Sequence, residues 1–355
     1  MQNRVEISGR GGGKPVRVRA RSAEKTRPPA NPAQSRREAA APGIPLTIRN
    51  LVSLWLALSL NRVKLSSYER YRHLAEQHIL PGLGKLDVSE LTVERLNEFT
   101  REKQERGRID GSGGLSAKTV SDILVILRSS IKLAMREYGV RVDAGVMDVR
   151  PVRSAVRRVE VFSQRETERI TTALKEEPRL HTAGFLLCLE TGLRLGELCA
   201  LRWGDIDFDE GLLSVRRTVL RVDHSGETRL EVQAPKTECS ERVVPLTRKL
   251  LTLLKRFGKG HGADEYIFTG STERPMEPRT MQYRFSFFLK RLGIRPRGFH
   301  TLRHSFATRC VERGVDVKTL SEVLGHSNVQ TTLQMYVHPS MDQKRKSVES
   351  ASSMK

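Results

Sequence analysis

Six side chains in the C-terminal half of the chain have the types and order of a phosphate-handling site. Arg194 stands in Thr191-Gly-Leu-Arg-Leu-Gly-Glu197 and Lys236 in Pro235-Lys-Thr237. His300 and Arg303 frame His300-Thr-Leu-Arg303, His326 follows Leu324-Gly325, and Tyr336 closes the series. Two arginines keep their charge at any working pH, a lysine and two histidines can move protons, and a phenol can attack. No carboxylate cluster for a metal accompanies them. The set therefore suggests phosphoryl transfer through a covalent tyrosyl intermediate, with guanidinium groups in place of magnesium and no cofactor.

Each residue has a plainer reading beside the chemical one. Arg194 follows Gly192 at the expected start of a helix, where backbone N–H groups also favour an anion, and Glu197 three residues on can orient it; the plainer reading is a surface ion pair. His300 and His304 are at i,i+4 and could hold zinc, but Arg303 lies beside them and no third ligand has matching spacing, so His304 reads as a structural or supporting histidine. Lys236 sits between two expected strands, on what reads as a hairpin turn, or is an ordinary surface lysine. Gly325 is an expected helix C-terminal residue that presents His326. A tyrosine at helical spacing, such as Tyr336, is on its own more often a core or interface residue.

The elements that must position these groups follow from periodicity and capping. From Thr47, apolar residues Ile48, Leu51, Leu54, Trp55 and Leu58 line one helical face. Ser66 with Glu69 reads as a capping box opening a second helix that stops near Pro81-Gly-Leu-Gly84. A third helix follows Thr92, and a fourth runs from Ser116 through Ile123, Leu127 and Ile131 to Tyr138, with Gly139 as its stop. Four helices in this span predict a compact bundle over residues 46–139. Residues 140–160 carry five arginines with no period and read as a linker. A second domain, 161–340, opens with Ser163 and Glu166 as another capping box. Helices through 190 and from about 194 give way to β-branched runs at Leu212–Val222, Thr228–Val232 and Arg242–Leu246, and then to helices again. The fold class is mainly α with a small antiparallel β-sheet (α+β).

Charge names the partner class. The net charge of +21 and pI near 10.3 point to a polyanion. Residues 1–45 hold ten Lys or Arg against three acids and read as a basic, disordered arm; Val16-Arg-Val-Arg19 could order as a strand on DNA. The tail, 341–355, is also polar and basic. Cys188, Cys199, Cys239 and Cys310 form no CxxC pair, which fits reduced thiols in a cytoplasmic protein. The longest apolar run, Leu51 to Leu60, is too short to cross a bilayer, so no membrane partner is expected.

The four stretches Thr191 to Leu198, Pro235 to Leu246, His300 to Thr308 and Leu324 to His338, in this order and spacing, resemble the tyrosine recombinases of the phage-integrase family over roughly residues 46–340. The resemblance implies a helical, SAM-like core-binding domain followed by the family's catalytic domain. It implies an in-line attack by Tyr336 on a DNA phosphodiester, giving a 3′-phosphotyrosyl link and a free 5′-hydroxyl. Arg194 and Arg303 would clamp the phosphate, His326 would donate to it, His300 would take the phenol proton, and Lys236 would protonate the departing 5′-oxygen. It further implies a homotetramer on double-stranded recombination or attachment sites, an accessory bending or directionality protein, and a tail that docks on a neighbouring protomer. An integrase of a mobile element is favoured over a chromosome-dimer-resolving recombinase. A type IB topoisomerase-like enzyme and a catalytically silent DNA-binding regulator compete with both.

Overall fold

In the computed structural model, the described residues are 46–152, 160–176, 178–224, 227–234 and 241–336, with 345 and 349. Lys236, Cys239, the basic arm expected over 1–45, residues 225–226, residues 153–159 of the expected linker and nearly all of the tail lie outside them.

The chain divides into two units. The first is built from α1 (Ile48–Ser59), α2 (Leu65–Leu74), α3 (Val93–Arg106) and α4 (Ala117–Tyr138). Three starts follow from side-chain caps: the hydroxyls of Thr47, Thr92 and Ser116 accept from the amides of Asn50, Arg95 and Thr119 at 3.3, 3.2 and 3.1 Å. Gly139, at φ 64°, ends α4 in the left-handed conformation that a residue with a Cβ resists. The expected Ser66–Glu69 box does not form. Lys64, which has no side-chain acceptor, precedes α2, and Glu69 instead receives Arg72 at 2.9 and 2.6 Å one turn on. The chain continues helically after α2, widening to a π turn at Ala75–Ile79 before Leu80–Leu83.

The core of this unit gathers one stripe from each helix, including Ile48, Leu51, Ile79, Leu96, Ile123, Leu124 and Leu127, each at most 1% exposed. Each such leucine contributes about 1.5–3 kcal/mol by leaving water. Val146 and Val149, in the segment expected to be a linker, are buried in the same core through a 3₁₀ turn at Ala144–Met147.

The second unit holds α5 (Gln164–Glu176), α6 (Leu180–Thr191), α7 (Leu195–Cys199), five strands, and then α8 (Arg248–Gly258), α9 (Pro278–Arg291), α10 (Thr301–Glu312), α11 (Val317–Leu324) and α12 (Val329–Tyr336). The Ser163–Glu166 box closes as expected, with bonds of 2.8 and 3.3 Å. Strands β1 (Ile206–Asp207), β2 (Leu212–Val215) and β5 (Arg242–Pro245) make one antiparallel sheet, with Leu213 opposite Val244. Strands β3 (Thr218–His224) and β4 (Glu227–Gln233) make another, with Val219 opposite Val232. Strands β4 and β5 belong to different sheets, and the residues between them that carry Lys236 lie outside the described ones.

Helix α6 is the centre of this unit. Ala183 to Leu189 are all buried, as expected of a helix apolar on every side. Phe185 meets Phe285, Phe288 and Phe299 with ring centroids 5.1–5.9 Å apart. The helix ends at Gly192, whose φ of 70° turns the chain so that Arg194 leaves the core.

Candidate active site

Arg194 caps α7 in an extended conformation, and its backbone N–H donates to Glu197 Oε2 at 2.9 Å. With that donor spent and only five residues in α7, the part of Arg194 that could meet an anion is its guanidinium and not the helix end. Nη1 donates to Glu197 Oε1 at 2.7 Å, and Nη2 donates to the Gly325 carbonyl at 2.8 Å, immediately before His326.

Glu197 is 4% exposed and also receives Arg242 through Nη1 at 3.1 Å and Nη2 at 2.9 Å. Burial would raise its pKa, but the hydrogen bonds and charges of Arg242 and Arg194 outweigh that and hold the carboxyl below its usual range. Arg242 Nε donates to the Val323 carbonyl at 2.6 Å, so one buried arginine ties β5, α7 and the end of α11 together. Arg242 is not among the residues expected from the sequence. The signal for it is strand alternation, which places Arg242 on the inward face with Val244.

Arg303 is 1% exposed, in the first turn of α10. Its Nη1 donates to the Gly192 carbonyl at 2.8 Å, two residues before Arg194. Its Nη2 is buried and has no acceptor among the described residues. Burial, with Arg194 next in effect, lowers the Arg303 pKa to about 9, so the group stays charged at neutral pH. A buried cationic donor without an acceptor is costly, and an anion arriving there removes the cost.

The three imidazoles differ in their partners. His326 follows Gly325, which is left-handed at φ 64°, and its Nδ1 lies 2.8 Å from the Thr332 hydroxyl on α12. Partial burial and then the charges of Arg303 and Arg194 bring its pKa to about 4. His300 caps α10 with much of its surface open to solvent, yet enough protein surrounds the ring that partial burial, followed by His304, Arg303 and Arg194, also lowers its pKa to about 4. His304 Nδ1 is 2.6 Å from the Tyr336 hydroxyl. The expected proton acceptor was His300, but the imidazole in hydrogen-bond contact with the phenol is His304. One helical turn separates them, and their rings meet edge-on at 4.7 Å.

Tyr336 is 6% exposed at the end of α12, and burial raises its pKa, opposed by Arg303 and Arg194. Five of the six expected residues, Arg194, His300, Arg303, His326 and Tyr336, thus converge with Glu197 through a continuous set of contacts. Lys236 lies outside the described residues. No group of three His, Cys, Asp or Glu side chains among the described residues could hold a metal ion. Two guanidinium groups, two neutral imidazoles and a buried phenol can together bind a phosphodiester and attack it.

Comparison with known proteins agrees with this geometry. The profile described as Phage integrase family matches residues 160–343, and that described as Phage integrase, N-terminal SAM-like domain, matches residues 47–104. A tyrosine recombinase XerC-like protein of Caldanaerobacter subterraneus subsp. tengcongensis is 30% identical over 86% of this chain and 82% of its own length. The ICEBs1 integrase of Bacillus subtilis is 27% identical over 81% of this chain and 78% of its own. The fold is similar to that of the Tn1549 transposon integrase in complex with a circular intermediate DNA, with a TM-score of 0.71 at 21% identity, covering 86% of this chain and 99% of that one. The chain belongs to the phage integrase family of tyrosine recombinases, enzymes that cut and rejoin DNA strands.

Proposed function

We propose that the chain is the integrase of a mobile element and that it exchanges DNA strands through a 3′-phosphotyrosyl intermediate formed on Tyr336. The observation that carries this is the buried Arg303 guanidinium, whose Nη2 finds no acceptor among the described residues while a buried phenol lies beside it. Arg303 and Arg194 bind the non-bridging oxygens of the scissile phosphate, and Glu197 and Arg242 fix the Arg194 fork. His326 and His300, neutral at working pH, donate to the same oxygens. The phenol gives its proton to a neighbouring imidazole as its oxygen bonds to phosphorus and the bond to the 5′-oxygen breaks, and the Lys236 ammonium protonates that oxygen. Because the ester keeps the bond energy, a second 5′-hydroxyl can reverse the step on a new partner.

Exchanging both strands of two duplexes takes four cleavages, and each protomer offers one nucleophile. The working unit is therefore a homotetramer on two double-stranded sites. The basic arm over 1–45 suits additional contacts to DNA phosphates, and an accessory bending or directionality protein fits the same scheme. We place the protein in the cytoplasm on chromosomal DNA; no helix among the described residues is long and apolar enough to cross a membrane. Similarity to the ICEBs1 integrase supports the mobile-element role, and similarity to the XerC-like protein keeps chromosome-dimer resolution as the second reading.

The test is recombination between two plasmid-borne copies of the element's joined ends, compared with a plasmid carrying one copy. Recombinants that need two sites and are lost in Tyr336→Phe support the proposal. Relaxation of the one-site plasmid without recombinants supports a topoisomerase instead, and binding without either product supports a silent regulator. Arg303→Lys, which loses the planar fork, is expected to slow strand exchange roughly 10²- to 10³-fold.

A further inference from the structure

Tyr336 is buried, and its hydroxyl is hydrogen-bonded to His304 Nδ1 at 2.6 Å. The two rings lie 5.7 Å apart between centroids and tilted by 49°, an arrangement that brings the ring nitrogen to the hydroxyl and not to the phenol face. His304 sits on α10 directly after Arg303, whose guanidinium is the charge that would draw a phosphate to this point. Helix α10 thus carries the imidazole next to the anion-binding group in sequence and in contact with the nucleophile.

We propose that His304 is the catalytic base for strand cleavage: its Nδ1 holds the phenol O–H in the free enzyme and takes the proton as the phenol oxygen bonds to phosphorus. The inference rests on Tyr336 being the nucleophile. In the step, the Oη–H bond breaks and its proton passes to Nδ1, the Oη–P bond forms, the P–O5′ bond breaks, and the 5′-oxygen is protonated by the Lys236 ammonium. Rejoining runs the same transfers backwards, the imidazolium returning its proton to Tyr336.

The surroundings suit this role. Burial, and then the charge of Arg303, lower the His304 pKa, so at neutral pH the ring is uncharged and Nδ1 has a free lone pair when Nε2 carries the hydrogen. The groups facing it are Arg303 and His300 on its own helix and Tyr336 from α12. His300 meets His304 by ring contact, which leaves His300 available to the phosphate.

The test is single-turnover formation of the covalent adduct on a nicked duplex, with the wild-type adduct mapped by mass spectrometry. If the wild-type adduct is not on the peptide carrying Tyr336, the nucleophile assignment itself fails. If it is there, His304→Asn, which can bond the phenol but cannot accept its proton, is expected to bind DNA normally and cleave about 10²-fold more slowly or worse. A scissile phosphate with a bridging 5′-sulfur needs no acid for its leaving group, so it should restore a Lys236 variant but not His304→Asn. Cleavage by His304→Asn within an order of magnitude of wild type, or restoration by the sulfur substrate, overturns the proposal. His304→Gln serves where the Asn variant does not bind DNA. The wild-type protein gives an independent reading: because the His304 pKa lies below the ordinary imidazole value, the rate on the sulfur substrate should hold through neutral pH and fall on further acidification, and a rate that does not fall at any acid pH at which the protein stays folded also overturns it.

Discussion

Replacing Glu197 by Gln is the most informative perturbation of the site's scaffold. The carboxylate accepts four donors: the Arg194 amide, Arg194 Nη1, and Arg242 Nη1 and Nη2. A glutamine keeps one acceptor oxygen, points an N–H₂ at the remaining donors, and removes the negative charge that both guanidinium groups bond. The Arg242 and Glu197 side chains are 6% and 5% exposed, whereas that of Arg194 is 35% exposed, so most of the cost falls on the Arg242 pair. Breaking a buried ion pair from one side costs about 3–5 kcal/mol; with Arg194 partly solvated and Arg242 keeping other contacts, we expect the lower end, about 3 kcal/mol.

That is a large share of a stability of about 5–15 kcal/mol. The assay follows from the two tryptophans, Trp55 in the first unit and Trp203 in the second: in a Trp55→Phe background, fluorescence reports unfolding of the second unit alone. With a urea slope near ~3 kcal/mol/M, the midpoint should fall by about 1 M. Adding Arg242→Met removes the guanidinium that has lost its Glu197 carboxylate and should recover part of the loss. A midpoint for Glu197→Gln within about 0.5 kcal/mol of the parent, the size of an ordinary surface substitution, would refute the reasoning.

Gly192→Ala should destabilise the second unit by at least about 1–2 kcal/mol, because φ is 70° and the new Cβ would lie 2.6 Å from Leu324 Cδ2; the same urea titration measures it. It should also slow cleavage, since the Gly192 carbonyl holds Arg303. Ser116→Ala removes the cap of α4 and should cost the first unit about 1 kcal/mol, read from Trp55 in a Trp203→Phe background. His300 and His326 have folded pKa values of about 4, below the unfolded value near ~6.5, so the unfolded chain binds more protons between these limits. The stability they contribute is present above about pH 6.5 and lost as pH falls towards 4; His326→Gln should flatten the Trp203-detected slope in that window.

What could be read from the sequence was local. Thr47, Thr92, Ser116 and the Ser163–Glu166 pair act within one turn of themselves, and Gly139, Gly192 and Gly325 mark left-handed turns that glycine adopts without strain. Ser66 and Glu69 matched the same pattern and failed because the helix begins at Leu65, which leaves Ser66 inside its first turn, and Glu69 bonds Arg72 instead. Pairing among strands depends on distant partners, so the joining of β5 to β2 and not to β4 was invisible from spacing alone. Arg242 read as an ordinary strand arginine because its partners, Glu197 and the Val323 carbonyl, are 45 and 81 residues away. His304 read as a supporting residue because nothing in His300-Thr-Leu-Arg-His304 reveals that α12 returns the Tyr336 hydroxyl to it.

The central claim is that Tyr336 attacks a DNA phosphate held by Arg194 and Arg303. The most direct measurement uses a nicked suicide duplex bearing the element's own end sequence, incubated with wild type and with Tyr336→Phe and resolved on a denaturing gel. The account predicts a covalent protein–DNA band for wild type, with a free 5′-hydroxyl on the released strand, and no band for a Tyr336→Phe protein that still binds the duplex. A wild-type protein that binds this duplex yet forms no adduct, or an adduct that persists in Tyr336→Phe, would contradict it.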